Sequence, residues 1–382
     1  MARARARSAA TPEEPISSPP SRSPYKANRA AKSERNASRK ETEARTALVL
    51  GGGAPNMALM AGALAAFQRH RVEFDVVSTS GAGALAGLLW LAPKGLSPEE
   101  ALRNVVTMSI SDAIYQFLPV NYKVFHKPGT WADWWRSTLA AFPSFAMNPQ
   151  QYQQSPAYAL WADWMALWTA TLSPTDLAWS SWGLCAPAPF IEQLIDFDKI
   201  KEIKPHFYLN AYNVTKEVID DFEKKDITPD HFRAALAFPF IYGPYRLSAN
   251  NCLYYEGAVV DCLNFKDLVE RHVNLKTIVV FDVLGNHKLI RAPRNLYDSW
   301  MLSMIIPLVE TAQDDIKLFT LKYKKPETDL LKLDFAIPPG NLLEVLDWTA
   351  SNATRLFNIG YEAGEKFCRA HAGKITVARP DA

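Results

Sequence analysis

The stretch Thr46 to Trp90, TALVLGGGAPNMALMAGALAAFQRHRVEFDVVSTSGAGALAGLLW, decides the fold. Ala47 to Leu50 is a short apolar run that ends in Gly51, Gly52 and Gly53, and an apolar helical pattern containing Gly62 follows it. A buried strand, a glycine turn and a helix open a parallel α/β unit. Phe74 to Val77 reads as a second strand, after which Ser78, Thr79, Ser80, Gly81, Ala82 and Gly83 make a turn of small residues before Leu85 to Trp90 continues as helix. A nucleophile elbow would sit there, because a strand-to-helix turn that tight admits only small side chains beside its serine. Two such turns at neighbouring strand ends lie on one edge of a parallel sheet, the edge where open α/β sheets bind ligands.

Outward from this stretch, the 382 residues are enough for a large core, and 48% hydrophobic against 21% charged residues reads as a globular chain. The net charge of +2 conceals an asymmetry: residues 1–45 hold 11 Arg or Lys against 5 Glu. This Ala-, Ser-, Pro- and Arg-rich tail has almost no large apolar side chains and reads as disordered, either a solvated leader or a contact for an anionic surface. No apolar run reaches the roughly 18 residues of a membrane span, and the N-terminus lacks a signal-peptide core, which predicts a cytoplasmic protein. Cys185, Cys252, Cys262 and Cys368 are widely spaced and signal neither a metal site nor a disulfide framework.

From about 111 to 195 the character changes: eight of the 11 Trp fall there, with few charges and repeated prolines. Trp161, Trp164 and Trp168 share one helical face. This reads as a helical insertion into the α/β pattern, either a cap with its own tryptophan core or a lid that meets acyl chains or a lipid boundary. Beyond it, Phe207 to Asn213 and Leu275 to Leu284 read as strands, His231 to about Pro239 as a helix, and Leu330 to Ile337 as a further strand. Helices are expected over Leu296 to Tyr323, kinked at Pro307, and from about Thr349 to His371.

A serine needs a base within reach and donors aimed at the developing oxyanion. Ser80 sits at the centre of its turn, and the backbone amides of Gly52, Gly53 and Ala54 open a helix, where they form either an oxyanion hole or a phosphate cradle. The third element is Glu256-Gly257-Ala258, with Asp261 five residues after Glu256.

With that element the chain resembles the patatin-like phospholipase family, whose members carry a G-G-G-x-R/K-G loop, a G-x-S-x-G elbow and a later D-G-G or D-G-A turn, in that order. Here the counterparts are Gly51-Gly52-Gly53-Ala54-Pro55-Asn56, Ser78-Thr79-Ser80-Gly81-Ala82 and Glu256-Gly257-Ala258, and Ala234 to Tyr242 resembles the proline-bearing stretch before the acid. The resemblance covers roughly residues 46–110 and 200–370. It implies a three-layer α/β/α fold with a mainly parallel central sheet, a domain over 46–375 with the Trp-rich helical insertion, and hydrolysis of acyl-ester lipids without a cofactor or metal. It also implies roles: Ser80 as nucleophile, Glu256 as base, and the amides of Gly52, Gly53 and Ala54 as oxyanion donors, with Ser78, Gly81 and Ala82 shaping the elbow. Asp261 reads separately, either as a reserve acid or as an aspartate that caps the turn.

The departures are specific. Ser78 and Ala82 stand where the family has glycines, and a one-residue shift to Gly83 would restore the second. Pro55 and Asn56 replace a basic residue and a glycine, and Glu256 adds a methylene to the usual acid. The expected partners are an acyl-ester lipid and, through the insertion and the basic tail, a peripheral membrane or lipid-granule surface, with no nucleic acid. Two other readings stay open: a catalytically silent lipid-binding or scaffold relative, and a hydrolase of polymeric hydroxyalkanoate esters.

Overall fold

The computed structural model describes residues 45–53, 56–119, 121–123, 130–140, 142, 148–174, 194–239, 242–281, 283, 292–293, 296–335 and 347–378. Ala54, Pro55, Cys185, Trp179, Trp182 and the tail before residue 45 lie outside them. Strand β1 (Thr46–Leu50) leads into helix α1 (Met57–Arg69), then a short strand β2 (Val72–Glu73), β3 (Val76–Thr79) and helix α2 (Ala82–Leu91). β3 begins two residues later than the apolar pattern suggests. The cause is Asp75, whose carboxylate accepts the backbone N–H groups of Arg45 and Thr46, each at 2.9 Å, and so acts as a clasp before the strand begins.

Helix α3 (Pro98–Arg103) opens with a complete capping box between Ser97 and Glu100, then tightens into a 3₁₀ turn over Asn104–Met108. Helices α4 (Asp112–Phe117), α5 (Thr130–Ala140), α6 (Pro149–Gln154) and α7 (Pro156–Leu172) belong to the Trp-rich segment. The chain returns as β4 (His206–Asn213), β5 (Val218–Glu223), helix α8 (Pro229–Ala235), β6 (Tyr245–Arg246), β7 (Leu253–Glu256), helix α9 (Phe265–Arg271) and β8 (Thr277–Phe281). Helix α10 (Leu296–Leu318) runs through Pro307 into a π turn at Phe319–Tyr323. Strand β9 (Asp329–Lys332), helix α11 (Ala350–Ala370) and strand β10 (Thr376–Val377) complete the order.

Among the described residues, eight strands form one sheet in the order β6-β7-β4-β3-β1-β8-β9, with β5 paired to β4. The run β4-β3-β1-β8-β9 is parallel, whereas β5, β6 and β7 join antiparallel. Every residue of β1, β3 and β8 is buried, as expected of strands flanked by helices on both faces. Helices α1 and α11 cross at small residues. A methyl group at Gly62 would lie 2.0 Å from the Phe357 carbonyl oxygen, and one at Gly360 would lie 2.0 Å from that of Leu59. Only glycine permits so close a backbone approach.

The Trp-rich segment is anchored by a charged knot. Asp163 on α7 is fully buried and pairs with Lys123, while its Oδ2 accepts from Ser111 and from the Tyr152 hydroxyl at 2.8 Å. Lys123 also donates to the carbonyls of Thr107 and Ser109. The opposite face of α7 is bare: Trp161, Trp164 and Trp168 are about half exposed, as are Trp131 and Trp134 on α5. These five tryptophans point outward rather than building a core, while Trp135 tucks its indole N–H onto the Thr169 carbonyl at 3.1 Å.

Candidate active site

Strand β4 has two edges and three partners, and that arithmetic builds the site. β5 pairs along Tyr208–Asn213, overlapping both the stretch taken by β3 (His206–Leu209) and the stretch taken by β7 (Ala211–Asn213). β3 and β7 must therefore share the other edge. β3 ends with Thr79 opposite Leu209, and β7, running the other way, ends with Glu256 opposite Ala211. The two strands meet head to head, two positions apart on β4, or about 7 Å. Ser80 follows Thr79 into that gap, and Asn210 faces it from β4.

Side-chain contacts close the arrangement. A methyl group at Gly81 would lie 1.9 Å from Glu256 Oε1, so the carboxyl group rests against the backbone of the residue that follows Ser80. Gly81 also holds φ +50°, which glycine adopts without the strain of a side chain. The glycine loop covers the same spot: a methyl at Gly52 would meet Ala258 at 2.6 Å and Glu256 Oε1 at 3.5 Å, and one at Gly51 would meet Leu263 at 2.8 Å. Residues from three distant parts of the chain thus surround one carboxyl group.

The sequence departures acquire local reasons. Ser78 is buried and its hydroxyl donates to the Asn264 carbonyl at 3.1 Å, tying the elbow to the turn after the acid. Ala82 begins α2, and Gly83 makes the close approach, since a methyl there would lie 2.3 Å from the Leu50 carbonyl oxygen. Asp261 turns its carboxylate to the backbone N–H of Asn264 at 2.7 Å. Its carbonyl accepts from Ser80 Oγ at 3.1 Å and from Asn210 Nδ2 at 2.9 Å.

Glu256 is buried, no donor among the described residues reaches its carboxyl group, and desolvation pushes its pKa up to about 8. A second raised carboxyl stands behind it. Asp315 on α10 is pushed up to about 7, chiefly by burial and then by Asp261, although its Oδ2 accepts the backbone N–H groups of Cys262 and Leu263 at 2.9 and 3.0 Å. Of the expected oxyanion donors, the N–H groups of Gly52 and Gly53 make no hydrogen bond to a described residue, and Ala54 lies outside the described residues. Among the described residues, no group of three or more His, Cys, Asp or Glu could hold a metal ion.

Sequence reasoning missed Asn210 and Asp315. A polar residue within the apolar run FYLNAYN was the available signal for the first. Asp315 lies on a helix with acidic neighbours and carried none.

Among solved structures, the chain is similar to VipD from Legionella pneumophila, with a TM-score of 0.37 at 14% identity, over 86% of this chain and 67% of that one. No curated protein matches it. The family model for patatin-like phospholipases matches residues 48–269, a span that begins in β1, contains the elbow and the Glu256 turn, and ends in α9. The chain therefore belongs to the patatin-like phospholipases, a family of lipid acyl hydrolases.

Proposed function

We propose that this chain is a serine acyl hydrolase that cleaves lipid esters through a Ser80/Glu256 dyad. The observation that supports it is the head-to-head meeting of β3 and β7 on β4, which brings the elbow and the Glu256 carboxyl group to one gap beneath the glycine loop. In the reaction, deprotonated Glu256 takes the Ser80 hydroxyl proton as Oγ bonds to the ester carbonyl carbon. The carbonyl oxygen becomes an oxyanion facing the N–H groups of Gly52, Gly53 and Ala54. Collapse breaks the ester C–O bond, the alcohol leaves with the proton from Glu256, and an acyl-Ser80 remains. Water, deprotonated by Glu256, then releases the carboxylic acid and restores Ser80.

The test is labelling of the purified protein by a fluorophosphonate, followed by turnover of medium-chain nitrophenyl esters. Labelling at Ser80, and loss of turnover in Ser80→Ala and Glu256→Gln, are expected. Undiminished turnover in Ser80→Ala would overturn the assignment.

One observation favours a silent lipid-binding relative instead: Ser80 is fully buried, with its hydroxyl on a backbone carbonyl rather than on Glu256. Absence of labelling at pH 9, where Glu256 is charged, would select that reading.

The domain over 46–375 carries the site, and the insertion over 111–195 acts as an interfacial cap. Between residues 148 and 174 the sole charge, Asp163, points inward, while Leu160, Trp161, Trp164, Trp168 and Leu172 are exposed on α7. Indoles on an uncharged helical face suit the boundary between acyl chains and head groups. The protein is then cytoplasmic and peripheral, and among the described residues no helix is long and apolar enough to cross a membrane. Co-sedimentation with phosphatidylcholine vesicles should fall in Trp161→Ser/Trp164→Ser/Trp168→Ser. Binding to hydroxyalkanoate granules but not to vesicles would favour the polymeric-ester reading.

A further inference from the structure

The turn after Glu256 is held from two sides, and both holds converge on the atom that Ser80 touches. The Asp261 carbonyl oxygen accepts the Ser80 hydroxyl at 3.1 Å and the Asn210 side-chain amide at 2.9 Å. The next two residues, Cys262 and Leu263, give their backbone N–H groups to one oxygen of Asp315. Asn210 is fully buried at the break between β3 and β7, and its Oδ1 has no hydrogen-bond partner among the described residues. Asp315 comes from α10, more than 50 residues after the turn it holds.

We propose that Asn210 and Asp315 are positioning residues for the nucleophile, which together fix the Asp261 carbonyl and through it the resting orientation of the Ser80 hydroxyl. This rests on the reading of Ser80 as nucleophile. A backbone carbonyl cannot keep a proton, so it does not compete with Glu256 as base. It orients the hydroxyl and fixes where the oxygen lone pairs point. Without Asp315 the N–H groups of Cys262 and Leu263 lose their acceptor in a buried setting, and the turn must move to find others. Both residues act on the Asp261 turn, so the deficit belongs to the chemical step and not to substrate binding.

The experiment measures kcat and KM for nitrophenyl octanoate in the full chain and in Asp315→Ala, Asp315→Asn and Asn210→Ala, with hydrogen–deuterium exchange of the peptide spanning residues 260–266. Asn offers the same amide-facing oxygen as Asp, without the charge. Asp315→Ala and Asn210→Ala are expected to lose about tenfold or more in kcat with KM within about twofold, and Asp315→Asn to recover most of that loss. Exchange at Cys262 and Leu263 should accelerate in Asp315→Ala and return toward the original rate in Asp315→Asn. Should Asp315→Ala fail to fold, Asp315→Glu displaces the same oxygen by one methylene and is expected to show the same kcat loss.

Undiminished kcat in Asp315→Ala, or an equal loss in Asp315→Asn, would overturn the proposal. If the unsubstituted chain neither turns over ester nor labels at Ser80, the catalytic reading fails. The exchange arm still decides whether Asp315 clamps the turn, and unchanged exchange in Asp315→Ala would end the proposal by itself.

Discussion

In the proposed dyad, Glu256 is the residue on which the chemistry turns, because its environment sets the pH at which it can act. A carboxyl held near 8 is mostly protonated at neutral pH and cannot accept the Ser80 proton in that form. We expect kcat/KM to climb with pH and reach half its plateau near 8, a profile that stopped-flow or steady-state assays across pH 6 to 10 would check. A plateau already reached by pH 6 would contradict it. Stability should move the opposite way. The folded chain keeps this proton up to about pH 8, whereas the unfolded chain gives it up near the ordinary 4.5, so stability present below pH 4.5 is lost as the pH rises toward 8. Glu256→Gln escapes that loss, and its melting temperature should exceed that of the unsubstituted chain by a margin that widens between pH 5 and 8 and then levels. The extra methylene of Glu relative to the family's Asp is visible in the sequence, but its burial is not, since burial depends on Gly52 and Gly81 arriving from elsewhere.

At the scale of elements, the sequence order of glycine loop, elbow and acid turn was legible because each motif carries local chemistry: glycines where backbones approach, small residues where a strand turns sharply into a helix. The apolar runs of β1 and β8 were legible for the same reason. β5 and β7 were not. VIDDFE and LYYE are polar or only half-buried, so they show neither a continuous apolar run nor a clean alternation, and only pairing with β4 makes them strands. The contact of α1 with α11 lies between these cases: Gly62, Gly360 and Gly364 stand out within helical patterns, but nothing local says that they face one another. Gly360→Ala puts a methyl 2.0 Å from the Leu59 carbonyl oxygen, a collision with backbone rather than with a yielding side chain. We expect a loss of about 1–3 kcal/mol, read by urea unfolding. A neutral or stabilising result, as the helix propensity of Ala alone would give, would mean that the helices can separate at little expense.

Across the whole molecule, the Trp-rich segment and the α/β core follow different rules. The core buries its apolar residues, whereas α7 buries its one charge and exposes its tryptophans. Helical spacing put Trp161, Trp164 and Trp168 on one face but could not say which way that face points. The answer depends on Asp163, whose partners Lys123, Ser111 and Tyr152 come from three other segments. Removing Asp163 strands the Lys123 ammonium in a site where burial already lowers its pKa. Asp163→Ala should therefore cost about 3–5 kcal/mol locally. Limited proteolysis would report it as faster cleavage between residues 107 and 174, with cleavage of the sheet core unchanged; uniform resistance would show that the apolar contacts of α7 suffice.

The meeting of β3 and β7 on one edge of β4 also has a bearing on time. As the chain leaves the ribosome, the elbow emerges with β1, β3 and the glycine loop, well ahead of the strand that carries Glu256. On the proposed dyad, Ser80 in that nascent segment has no base until β4 and then β7 have been made and docked, and the Asp315 hold on the turn arrives later still. On that reading, activity waits for β7 to pair with β4, and a shorter nascent chain carries a serine without its base.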